Sequence, residues 1–98
     1  VMERQRPTII EMLPSEPKTM VEALTARLTV RFPVGTDEQS LKPQLMDLGF
    51  QLDEDDVGQY AHFRMDPIAS GDTYFVYWSL DAEKQLTHIE GDVHISCL

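Results

Sequence analysis

Apolar residues recur at helical spacing in the first half of the chain and at every second position in the last half, and that change of period divides the molecule. Met20, Val21, Leu24, Leu28 and Phe32 form one stripe at a period near 3.6, with Glu22, Arg27 and Arg31 mostly off it. Leu28, Val30 and Phe32 also alternate with Arg27, Thr29 and Arg31, as in a half-buried strand. The strong helix formers Met20, Glu22, Ala23, Leu24, Ala26 and Arg27 favour a helix between Pro17 and Pro33. A second helix is expected over 37–48, with Leu41, Leu45 and Leu48 on one face and Gly49 at its stop. Thr36 with Gln39 three residues on reads as a capping box, and Pro43 is expected to kink the helix or delay its regular part to Ser40.

From Phe50 the period is two. Tyr60 to Met65 alternates, with Ala61, Phe63 and Met65 on one face. Thr73 to Leu80 is apolar or aromatic on both faces, as in a central strand, and Trp78 is expected in the middle of the domain. Leu86 to Glu90 with Val93, Ile95 and Cys97 forms a further strand, with a bulge or second turn at Gly91-Asp92. Residues 66–72 and 81–85 have hairpin length and polarity. Residues 1–16, broken by Pro7 and Pro14, read as an extended arm whose Ile9, Ile10, Met12 and Leu13 dock on the rest. The expectation for residues 17–98 is one α+β domain of two layers, two helices packed on a three- to four-stranded antiparallel meander.

Composition narrows the function. Net charge is −9, and it is lopsided: residues 1–35 carry four acids against five bases, residues 36–98 carry 13 acids against three. Such a field repels nucleic-acid phosphates and anionic lipid and attracts basic proteins. No apolar run approaches the ~20 residues of a bilayer-spanning helix, so direct membrane insertion of this segment is not expected. Cys97 is the one cysteine, which rules out an intrachain disulfide. The chain opens on Val1 rather than Met, which points to a processed or excised segment.

Catalytic and metal chemistry find little support. Asp53-Glu54-Asp55-Asp56 with Gly58 resembles the start of a calcium loop, but Val57 and Arg64 stand where that loop needs an oxygen ligand and a glutamate. His88 and His94, with Glu90 or Asp92, lack recognised ligand spacing; His62 completes the imidazoles. Cys97 lies too near the end of the chain for a positioned nucleophile, and Ser70 is not in a nucleophile elbow. No enzyme, metal or cofactor is expected. The candidate partner-binding residues are Asp53, Glu54, Asp55 and Asp56, read as a loop, and Tyr77, which shares with Phe75 a second sheet face that the arm or another protein must cover.

Gly35-Thr36, Leu41, Leu45, Leu48-Gly49-Phe50 and the strand from Tyr74 to Leu80, in a frame covering roughly two thirds of the chain, resemble the SmpA/OmlA (BamE-like) family of small outer-membrane lipoproteins and the related repeats of β-lactamase inhibitor proteins. Pro43, the acidic run at Asp53 and the lack of a lipid-bearing cysteine near the start depart from the pattern. The resemblance implies a non-catalytic, protein-binding domain of the bacterial envelope, periplasmic or at the outer membrane, with the cytoplasm as the alternative. A second expectation, drawn from charge, is an acidic immunity or inhibitor protein that neutralises a basic toxin or enzyme. In either case the expected partner is another protein with a basic surface, and self-association is left open.

Overall fold

The computed structural model describes residues 8–10, 13–14, 16–56, 58–64 and 73–94. Ile95, Cys97, Ser70, Met12, Met65, most of the arm and the 66–72 linker therefore lie outside the described residues.

Helix α1 spans Pro17–Arg31 and α2 spans Glu38–Asp47. Strands β1 (Gln51–Glu54), β2 (Gln59–Arg64), β3 (Thr73–Leu80) and β4 (Leu86–His94) form one antiparallel sheet in the order β1-β2-β3-β4. This is the α+β arrangement that the switch of period predicts, helices first and meander second.

Of the predicted stripe, Met20, Leu24 and Leu28 of α1 and Phe32 at its C-cap enter the core, Val21 stays half-buried, and Leu41 and Leu45 of α2 join them. They meet Ala61, Phe63, Tyr74, Val76, Leu86 and Ile89 from the inner face of the sheet, closed at one end by Phe50. Burying one such large side chain is worth about 1.5–3 kcal/mol, so this single layer contact holds the domain together. Helix α1 lies against β4 and α2 against β1. The arm contributes a 3-10 turn at Thr8–Ile10 whose Ile9 and Ile10 are buried beside α1.

Several local expectations are corrected. The N-cap of α2 is Asp37, whose carboxylate accepts from the Gln39 N–H at 3.3 Å. Thr36 is unavailable for capping because its hydroxyl donates to the Pro33 carbonyl at 2.7 Å. Pro43 does not delay α2 to Ser40: the helix is regular from Glu38 and carries Pro43 on its exposed side, with Leu41 and Leu45 buried in the core. Gly35, at φ +96°, and Thr36 are tied to the start of β4: Gly35 N–H donates to Leu86 O and Leu86 N–H to Thr36 O, both at 2.7 Å.

Strand β4 is continuous through Gly91-Asp92 rather than broken there. Its one irregularity falls near the hairpin, where the register shifts between Ser79 and Leu80. The Asp81–Gln85 hairpin is held by the Asp81 carboxylate, which accepts from Glu83 N–H at 2.9 Å and Gln85 N–H at 3.0 Å. Trp78 is half-buried at the margin of the core, not central to it, because Tyr74 and Val76 occupy the covered stretch of β3.

Candidate functional site

One face of the sheet is packed on the helices; the other carries the side chains that alternate with the core. The register sets them in rows. Tyr60 of β2 stands between Asp53 of β1 and Tyr77 of β3, and Tyr77 faces Glu90 of β4. In the next row His62 stands between Gln51 and Phe75, and Phe75 faces Asp92. Aromatic residues occupy the two inner strands; carboxylates end the first row at both edges and the second at the β4 edge, where Gln51 stands at the other end.

The four rings touch one another. Tyr60 and Tyr77 lie 5.8 Å apart between centroids, Tyr60 and His62 5.9 Å, and His62 and Phe75 6.4 Å. Phe75 and Tyr77 stack at 5.9 Å with planes 16° apart. Aromatic pairs of this kind, within a strand or across two, each contribute about 0.5–1.5 kcal/mol beyond burial and join the four rings into one platform. His62 Nε2 sits 3.8 Å from Asp53 Oδ2.

The carboxylates impose a negative field on the platform. The Tyr60 phenol is pushed above the ordinary tyrosine range by desolvation, then by Asp53 and Asp55, and by a hydrogen bond with Asp53. Tyr77 is pushed up by burial first, then by Asp92, Asp55 and Glu90 among its neighbours. Loss of a proton beside these groups would add a further negative charge, which they oppose.

The acidic run is divided by this geometry. It is not all loop: Asp53 and Glu54 form the outer half of β1, because they pair with Tyr60 and Gln59. Asp53 shares the open face with Tyr60, whereas Glu54, one residue on, points to the other side. Asp55 is held in the β1–β2 turn, its Oδ1 accepting from Gly58 N–H at 3.0 Å, and Asp56 is exposed in that turn. Of the four acids, the structure brings Asp53 and Asp55 to the aromatic residues. Tyr77 lies at the centre of the face.

Two hollows flank the Tyr60–Tyr77 row. One, about 510 Å³, lies among Asp53, Tyr60, His62, Arg64 and Phe75. The other, about 230 Å³, lies among Asp55, Gly58, Tyr77, Ser79 and Glu90. The described turn of the arm sits elsewhere: Arg27 Nη1 of α1 donates to the Ile9 carbonyl at 3.1 Å, which places it with the helices. A separate apolar groove on that side is bordered by Ile9, Ala26, Val30 and Leu48. Among the described residues no group of three histidine, cysteine or acidic side chains is placed to hold a metal ion, and His88 and His94 stand apart, opposite Ser79 and Thr73.

Tyr60, His62, Phe75, Glu90 and Asp92 were not singled out as partner-binding from the sequence. Alternation assigns each to a face of its own strand, but only the pairing register puts them in adjacent rows. No protein family, curated protein or solved structure matches the chain.

Proposed function

We propose that this chain is a non-catalytic protein-binding domain of the bacterial envelope, and that the open face of its sheet takes a basic segment of another protein. The observation that carries this reading is the aromatic platform of Tyr60, His62, Phe75 and Tyr77 ended by Asp53, Glu90 and Asp92. Aromatic rings supply contact area at low cost in side-chain entropy, and they attract cations through their faces. Carboxylates at the margins steer a basic partner to the platform and raise its association rate. The same surface suits the second reading, an immunity or inhibitor protein that masks a basic toxin or enzyme, because neutralisation needs the same complementarity.

The test is a titration of the isotope-labelled protein with oligolysine, followed by its amide resonances. Shifts should concentrate at Tyr60, Phe75 and Tyr77 and fade as salt is added. Shifts confined to the helical layer, or binding of oligoglutamate in its place, would overturn the reading. The envelope setting is checked separately by fractionating cells that express the native gene product; recovery with the cytoplasm would remove it.

A further inference from the structure

The smaller hollow on the open face has the dimensions and chemistry of a single-side-chain site. At about 230 Å³ it lies below the roughly 300–1,000 Å³ of small-molecule pockets. Its surroundings come from three places in the chain. Tyr77 of β3 offers a ring, the β1–β2 turn offers the Asp55 carboxylate, and β4 offers Glu90. Asp55 is fixed by the Gly58 N–H, and Gly58 leaves the near side low because nothing lies within 4 Å of where its side chain would start. His88 borders the recess, its Nε2 3.9 Å from Glu90 Oε1.

We propose that this recess takes the guanidinium of an arginine on the partner, in preference to the ammonium of a lysine. The inference rests on the reading that a basic segment docks on the open face. A guanidinium is planar and weakly hydrated, so it stacks on the Tyr77 ring while its forked N–H groups reach carboxylates in its own plane. An ammonium is a compact, strongly hydrated point charge: it gains the Coulomb attraction, loses more hydration and does not stack. The two carboxylates on separate elements suit a fork better than a point.

Hexa-arginine and hexa-lysine carry equal charge and separate the two claims. Affinity is measured by calorimetry at low salt for the unaltered protein and for Tyr77→Leu, Glu90→Gln and Glu54→Gln, the last on the other side of the sheet. Amide spectra of each variant verify the fold. The expected result is hexa-arginine binding about tenfold more tightly than hexa-lysine, a ratio that Tyr77→Leu and Glu90→Gln abolish and Glu54→Gln preserves. Equal affinity for the two peptides, or a ratio unmoved at Tyr77 and Glu90, overturns the arginine site and leaves the docking face standing. Absence of binding by both peptides overturns the two together.

Discussion

Leu24 of α1 fills the space that a side chain at Gly91 of β4 would need: a β-carbon built there would come within 2.5 Å of Leu24 Cγ. The requirement for glycine is one of room, since it lets the helix settle onto the middle of an edge strand. Gly91→Ala should therefore destabilise the fold by about 1–3 kcal/mol through overpacking. Leu24→Ala alone should cost about 2–5 kcal/mol, and the double variant should cost less than the two together. Denaturant midpoints for the three variants check this, and strict additivity would contradict it.

Thr25, the next residue on α1, holds the backbone of the same glycine. Its Oγ1 accepts from Gly91 N–H at 2.9 Å and donates to Gly91 O at 3.4 Å, so the helix takes up polar groups on a strand that borders the sheet. Unpaired groups at an edge invite another strand. Thr25→Val, close in shape, should cost about 1–2 kcal/mol. It should also speed hydrogen exchange at the Gly91 amide, and an unchanged exchange rate would show that the hydroxyl gives no protection.

Pro43 sits inside α2 without an N–H to offer. Pro43→Ala restores a donor at an exposed helical position and should stabilise the domain by about 1–2 kcal/mol, after the loss of proline's restriction on the unfolded chain. A lowered melting temperature would mean that the proline's rigidity matters more than the missing bond.

Tyr60 and Tyr77 both hold their protons beyond the ordinary tyrosine value of 10.0. A group that binds its proton more tightly when folded stabilises the fold fully below its unfolded pKa, and that stability is lost as pH rises through the folded value. Stability should accordingly fall as pH climbs above about 10. Asp53→Asn should make Tyr60 ionise earlier, since it removes a neighbouring negative charge. Ultraviolet absorbance titration resolves the shift, and an unmoved curve would contradict the role given to Asp53.

The acidic run should divide by face when its charges are removed. Asp53→Asn with Asp55→Asn should slow association with a basic peptide at low salt and flatten its salt dependence. Glu54→Gln should do much less, because Glu54 points away from the platform. Stopped-flow rates decide between this pattern and one in which all four acids act as a single solvated patch.

Much of the fold is visible in the chain because period is a local property. Leu24, Leu28 and Phe32 share a face on a helix or on a strand, but only a helix turns the exposed Val30 away from Leu28 and Phe32, and Ala61 and Phe63 share one only on a strand. Other features are settled by which of several competing groups makes a contact, near in the chain or far from it. The Pro33 carbonyl engages the Thr36 hydroxyl and leaves the cap to Asp37; buried Leu41 and Leu45 carry α2 through Pro43; and Leu24 turns Gly91 from a suspected break into a contact.

The sequence by itself determined the helices, the meander, the stripe of core residues and the acidic bias, since each depends on residues close in the chain or on simple charge. It also marked Tyr77 as needing cover. Only the tertiary structure decided that Asp53 and Asp55 meet the aromatic rings while Glu54 does not, and that Tyr60 and His62 join Phe75 and Tyr77. A sheet face is assembled from strands whose relative register comes from packing and pairing across the whole domain, and a slip of one residue would send every one of these side chains to the other side.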